Sequence, residues 1–253
     1  MSTAELPLGR RFSRLAIPNI ISNVTVPLVG LVDTAMLGHL PDISFLAGVA
    51  LGAVIFDYAY WSFGFLRMGT TGATAQAVGR NDQPEVWRIL YRSLMVALAI
   101  AAVLLISQRL IASLGFAVLA GQGAVEAAGR DSFFGRIWGA PATLSNYVLL
   151  GWLLGRERAR EALIITVIGN LANVGLDYLF IMRLGMAAWG AGVATAISQY
   201  LMLATAVGLI FRDAKPPRFV FKAVFDRSRL GELFRLNRDI LVRTVMLMTT
   251  FAV

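Results

Sequence analysis

Four ionisable side chains fall inside long apolar stretches of this 253-residue sequence: Asp33, Asp57, Arg67 and Asp177. A charge in hydrocarbon is costly, so such a residue pairs, takes up a proton or cation, or faces water, and by default marks a functional site. The pattern around Asp177 is the most informative. Thr166, Asn170, Asn173 and Asp177 follow one another at steps of four, three and four, which puts all of them on one helical face. Asn and Thr alone would only tie helices together by hydrogen bonds. An aspartate ending such a stripe points instead to a coupling-ion or substrate site. Asp33 stands in Gly30-Leu31-Val32-Asp33-Thr34, on a segment that also carries Pro18 and Pro27. Each proline removes a backbone hydrogen bond and invites a kink. A carboxylate on a bendable helix suits a proton or sodium switch; the competing reading is a cap at the membrane interface. Asp57 and Arg67 are ten residues apart in sequence, which leaves them about 80° apart around a straight helix. Arg67 could simply snorkel to the interface, and Asp57 has no evident partner.

The elements that must position these residues are membrane helices. Hydrophobic residues make up 57% of the chain and charged residues 15%, where a soluble domain has about 25% charged. That composition excludes a soluble enzyme, a disordered chain and a nucleic-acid-binding domain. There is no cysteine, which removes disulfides and thiolate metal sites, and His39 is the single histidine, which argues against zinc. Apolar runs cover roughly Leu15–Leu37, Phe45–Met68, Ile89–Ile106, Phe133–Leu154, Leu163–Met182 and Ala187–Phe211. Each is long enough to cross a bilayer, which takes about 20 residues. The short polar start with Arg10, Arg11 and Arg14 precedes a long apolar run without a cleavage site, so it leads into a first span and not a signal peptide. The stretch Ile111–Gly129, with four glycines, is expected to be a surface loop or short interfacial helix.

The expected fold is therefore all-α: a polytopic transmembrane helix bundle of six spans plus a truncated seventh. Residues 1–211 form a six-helix lobe and 212–239 a basic linker. Residues 240–253 begin a second lobe, so the chain is expected to be an incomplete form. A faint internal echo, Phe12 with Arg14-Leu15 against Phe234 with Arg235-Leu236, is consistent with such a repeat. Seventeen of the Lys and Arg residues fall on one side of these spans and four (Arg109, Arg130, Arg136, Arg183) on the other. That bias places the N-terminus in the cytoplasm. Asp33 and Asp177 then lie in the same half of the bilayer, where they could share a cavity. Gly48/Gly52, Gly135/Gly139 and Gly151/Gly155 are small-xxx-small pairs suited to close helix packing. Trp138, Trp152 and Trp189 are expected to anchor at the interface.

Several segments resemble the multidrug and toxic compound extrusion (MATE) family, in particular its DNA-damage-inducible (DinF) branch. In the first span these are Leu15-Ala16-Ile17-Pro18, Gly30-Leu31-Val32-Asp33-Thr34-Ala35 and Gly38-His39-Leu40. Further along are Phe65-Leu66-Arg67-Met68-Gly69-Thr70-Thr71-Gly72, Ala75-Gln76-Ala77, Leu149-Leu150-Gly151-Trp152-Leu153-Leu154-Gly155 and Leu236-Asn237-Arg238-Asp239-Ile240. The resemblance implies one lobe of a twelve-helix, two-lobe transporter with a central cleft. Such proteins export amphipathic, often cationic compounds in exchange for protons or sodium. It also implies that Asp33 is the first-span acid, Asp177 the fifth-span acid and Asn173 the asparagine one turn before it. Pro18 matches the proline whose kink responds to protonation, and Arg67 belongs to a branch signature. Asp57 has no place in that pattern.

Together these readings predict a cation-coupled drug antiporter of the bacterial inner membrane. Asp33, Asp177, Asn173, Asn170 and Thr166 would bind the coupling ion or substrate, and Pro18 and Pro27 would bend. No cofactor or covalent chemistry is expected, and sodium at Asp33, Asp177 and Asn173 is the one metal considered. The expected partners are a drug-like small molecule, a proton or sodium, the lipid bilayer and a missing C-terminal lobe. The alternatives are a non-transporting membrane fragment or binding partner, or a flippase for lipid-linked sugars, which would need cationic groups in its cleft to hold phosphates. Asp177 has Asn173 and Asn170 as donors on its own face, whereas Asp33 has only Val29 and Gly30. Asp33 is thus the expected proton-responsive group.

Overall fold

A computed structural model describes residues 8–119, 121 and 123–213, and among them every regular element is helical. The linker and the start of the seventh apolar run lie outside the described residues, apart from Arg212 and Asp213 at the end of the last helix. Helix α1 (Leu8–Gly38) runs unbroken through Pro18 and Pro27. At 1.5 Å per residue its 31 residues extend about 46 Å, more than the roughly 30 Å hydrocarbon core. The second apolar run becomes two helices, α2 (Ser44–Ser62) and α3 (Phe65–Gly79), broken at Phe63-Gly64. Next come α4 (Gln83–Ile106), α5 (Gln108–Leu119), α6 (Gly123–Arg136) and α7 (Ala140–Gly155), the last two joined by a 3-10 turn at Ile137–Gly139. Helix α8 (Ala159–Asp177) passes into a π-helical turn over Tyr178–Arg183, and α9 (Ala187–Asp213) ends the described bundle. Four stretches among the described residues are long and apolar enough to cross a bilayer: Ser44–Gly79, Gln83–Ile106, Ala159–Arg183 and Ala187–Arg212.

The stretch Ile111–Gly129, expected to be a surface loop or short interfacial helix, is mostly helix. Helix α5 buries Ala112 and Phe116 against the bundle and exposes Leu110, Leu114 and Val118. From Gly123 onward the chain already belongs to α6. The glycines there serve packing more than turning. Gly129 lies where a methyl group would come within 3.0 Å of Gly48 O and 2.7 Å of the Phe116 ring.

The glycine pairs set the helix order. A methyl on Gly48 would lie 2.6 Å from Ala128 Cβ, so α2 and α6 approach backbone to backbone. Gly135 and Gly139 do the same for α9, meeting Trp189 O and Ala196 Cα at 2.9 Å each. Gly151 would meet Arg67 O at 2.5 Å and Gly155 would meet Thr71 O at 2.7 Å, which seats α7 on α3. Helix α1 leans on α8, and α8 on α9. Trp152, expected at the interface, is fully buried between α4 and α7. Its Nε1 donates to Val86 O at 2.8 Å, its ring lies 5.1 Å from Trp87, and the Arg156 guanidinium covers it at 4.3 Å. An indole with both its faces and its N–H occupied is better placed in protein than at a headgroup. Trp138 and Trp189 are exposed.

Candidate functional site

Two adjoining cavities open among α1, α2, α6, α7, α8 and α9. The first, about 530 Å³, is lined by Asp33 and Thr34 of α1, Asp57 of α2, Arg136 of α6, and Asn170 and Asn173 of α8, with apolar residues between them. The second, about 480 Å³, is lined by Asp57, Tyr60, Trp61, Arg67, Arg136, Asn146, Tyr147, Thr166 and Asn170, among others. Asp57, Arg136, Asn170, Thr195 and Gln199 belong to both walls, so the cavities meet there.

The polar stripe on α8 is bound into the bundle from one end to the other. Thr166 is buried, and its hydroxyl returns to Ala162 O at 2.9 Å. Asn170 donates across to Thr25 Oγ1 of α1 at 3.0 Å. Asn173 is buried, and its Nδ2 has no hydrogen-bond partner among the described residues. Asp177 is fully buried behind the cavity wall, at the point where α8 gives way to the π-helical turn. Such turns recur at functional sites, because one extra residue per turn re-aims the side chains around it.

Asp33 and Asp177 come together as direct electrostatic neighbours. The two carboxyl groups are within hydrogen-bonding reach of each other, and no other donor reaches Asp33 Oδ1 or either Asp177 oxygen. The asparagines on α8 do not reach Asp177 as donors, contrary to the expectation from their spacing. Sharing a face aligns residues along a helix, but Asn170 is drawn sideways to Thr25. Two adjacent carboxyl groups in a low-dielectric site cannot both ionise unless a cation lies with them. The arrangement can thus take up one proton or one small cation, and Asn173 stands close by on the same helix. Among the described residues no group of three or more His, Cys, Asp or Glu side chains is placed to hold a metal.

Arg136 is the feature that composition and spacing assigned to the outer surface. It ends α6 inside the bundle and lines both cavities, and its charge acts on Asp33, Asp57 and Asp177. Its signal in the sequence was the apolar run that begins three residues before it. Pro18 is half-buried on α1, and His39 Nδ1 lies 2.6 Å from Ala35 O at the end of that helix.

Comparison with known proteins places this architecture. A family model described as MatE matches residues 18–179. The chain belongs to the MatE family. Among curated MatE-like relatives, the DNA damage-inducible protein F of Escherichia coli (strain K12) is 39% identical over 94% of this chain and 52% of its own length. The multidrug resistance protein MdtK of Pectobacterium atrosepticum is 27% identical over 97% of the chain and 55% of its own. A solved structure of a multidrug resistance MATE family transporter in an outward-facing conformation superposes with a TM-score of 0.83 at 25% identity. That match covers 95% of this chain and 54% of the solved one. The chain spans about half the length of the curated relatives it matches. It is a multi-pass, all-helical membrane protein with a MatE fold.

Proposed function

We propose that this chain forms the N-terminal lobe of a cation-coupled exporter of amphipathic or cationic drugs in the bacterial inner membrane. Residues 1–211 would be the lobe, 212–239 a cytoplasmic linker, and 240–253 the entry into a second lobe. Relatives that carry the name multidrug resistance protein support the substrate class. The bias of basic residues supports a cytoplasmic N-terminus. The observation that carries the proposal is the buried Asp33–Asp177 pair beside a cavity of drug-like size. A proton or sodium ion entering the pair neutralises it, and a cationic substrate competes for the same negative charge. Asn173 and Asn170 assist at the cavity wall, Thr166 holds the far end of the stripe, and Pro18 and Pro27 give α1 freedom to bend. Transport by rocking one lobe against the other needs two lobes, so the cycle belongs to the two-lobe assembly.

The experiment is exchange in vesicles by this lobe completed with the second half of its Escherichia coli relative. A proton or sodium gradient should drive ethidium uptake, and Asp33→Asn or Asp177→Asn should abolish the drive while the protein stays folded. Undiminished gradient-driven exchange by both variants would overturn the proposal. Cysteine labelling at position 158 checks the orientation, and labelling from outside intact cells would reverse it.

A second reading has one observation in its favour. Arg67 and Arg136 line the same cavity, and two cations suit the phosphates of a lipid-linked sugar. Flipping of a lipid pyrophosphate by the same vesicles, abolished in Arg67→Gln, would select that reading.

A further inference from the structure

We propose that Arg136 is a tethered counter-cation, held ready to occupy the carboxylate cluster, with which a transported or coupling cation must compete. This inference rests on the cation-site reading of Asp33 and Asp177 and adds Arg136, Asp57 and Phe56 to it.

Three observations carry it. Arg136 is the one side chain of α6 that lines both cavities together with a carboxylate, with Asp33 and Asp57 on the wall of the first and Asp57 on the wall of the second. Its backbone is clamped. Gly135 and Gly139 on either side press onto the backbone of α9, and a methyl on Gly192 of α9 would collide with Ser132 O and meet Arg136 N at 2.9 Å. The 3-10 turn begins at the next residue, so the α-helical register ends where the guanidinium leaves the helix. Finally, the guanidinium carbon rests 4.7 Å above the ring of Phe56, directly before Asp57 in sequence. Among the described residues Arg136 closes no ion pair within 4 Å with any of the three carboxylates. A cation over an aromatic face is held only weakly. Arg136 is thus parked beside the cluster and not locked into it.

Charge explains why a tethered cation belongs there. Three carboxyl groups, Asp33 and Asp177 as a pair and Asp57 nearby, would hold any cation too firmly to release it. The groups facing Arg136 are these three from α1, α8 and α2, together with Tyr60 of α2 and Tyr147 of α7. The other cation near them is Arg67 of α3, which lines the second cavity with Arg136 but not the first, where Asp33 lies. A guanidinium a few ångströms away lowers the net attraction, and it can move onto the carboxylates when the transported cation leaves. Because arginine stays charged at any physiological pH, this competition does not depend on the titration of Arg136. Asp57 is the lever. It lies at the junction of the cavities, where it can draw Arg136 away from the Asp33–Asp177 pair.

The test is binding of tetraphenylphosphonium, a permanent organic cation, to the full chain in nanodiscs, with 22Na+ binding measured alongside. Arg136→Gln should tighten both by about tenfold or more, equivalent to roughly 1.4 kcal/mol. Arg136→Lys, which keeps the charge, should stay within about threefold of the unaltered chain. Phe56→Leu removes the parking ring, lets the guanidinium fall onto the carboxylates, and should weaken binding several-fold. Arg136→Gln and Phe56→Leu therefore act in opposite directions, so a general loss of folding cannot imitate the result. Unchanged or weaker cation binding in Arg136→Gln, while the unaltered chain binds, overturns the inference and leaves the cation-site reading standing. If neither the unaltered chain nor any variant binds either cation, the cation-site reading itself fails.

Discussion

Glu85 and Asp177 are both buried carboxylates on helices of the same bundle, and they are treated in opposite ways. Glu85 is one turn into α4, where Asp82 caps the helix by accepting from its N–H at 3.0 Å. Its own carboxylate receives Arg92 at 2.8 Å and Arg88 at 3.3 Å. Every charge there has an opposite charge within hydrogen-bond reach, and neighbouring Trp152 donates to Val86 O. Asp177 has only another carboxyl group, that of Asp33, as its neighbour, and no cation or amide donor reaches either of its oxygens. A buried charge without its partner costs several kcal/mol, so the carboxyl groups of Glu85 and Asp177 contribute to stability with opposite sign. The first region ties down the start of α4 and, through Trp152, joins it to α7. The second sets two carboxyl groups side by side with no opposite charge closing on either of Asp177's oxygens.

This contrast can be broken or sharpened by substitution. Glu85→Gln should have the largest effect on stability, lowering it by about 3 kcal/mol by removing the charge from its buried ion pair with Arg92. Thermal melting in detergent would read this, and cation binding by the surviving folded fraction should not change. Asp177→Asn should do the reverse, with cation affinity falling by about 100-fold, the worth of losing one charge-assisted contact. The same variant should melt higher than the parent, by about 1 kcal/mol, because an unsatisfied buried carboxyl has gone. If Asp177→Asn lowers the melting temperature as Glu85→Gln does, the two regions are alike after all. Trp152→Phe removes one buried hydrogen bond beside Glu85 and should cost about 1 kcal/mol, with no change in cation affinity.

The smallest expected effect lies outside the bundle. Asp42, in the turn before α2, accepts the Ser44 N–H at 2.8 Å, and this holds its carboxyl below its usual value of 3.8. A depressed value in the fold means that the contribution is present above pH 3.8 and is lost as the pH falls through the folded value. Acidification should therefore lower the melting temperature slightly more in the parent than in Asp42→Ala. An identical acid response in the two proteins removes the effect.

Much of this architecture was legible in the chain itself. Apolar run length and composition identified the helical, membrane-spanning class, because a helix satisfies its backbone hydrogen bonds within one segment and needs about 20 apolar residues, whereas a barrel strand needs only about ten. The steps of four, three and four from Thr166 to Asp177 read correctly as one face, since helical periodicity is a property of a single segment. The glycine pairs read correctly as contact points for the same reason: a missing Cβ is visible in sequence, although its partner is not.

What the tertiary structure alone decided concerns partners. Asn170 turned to Thr25, Asp177 met Asp33 from a distant helix, and Trp152 left the interface for the core between α4 and α7. Arg136, counted from its position in sequence among the outer-surface basic residues, was carried into the cavity by the close packing of α6 on α9. Periodicity determines which way a side chain points from its own helix axis. What it points at is set by how helices far apart in sequence pack, with glycine contacts seating α6 on α2 and α9, and that packing brought four scattered charged residues, Asp33, Asp57, Arg136 and Asp177, into one electrostatic cluster.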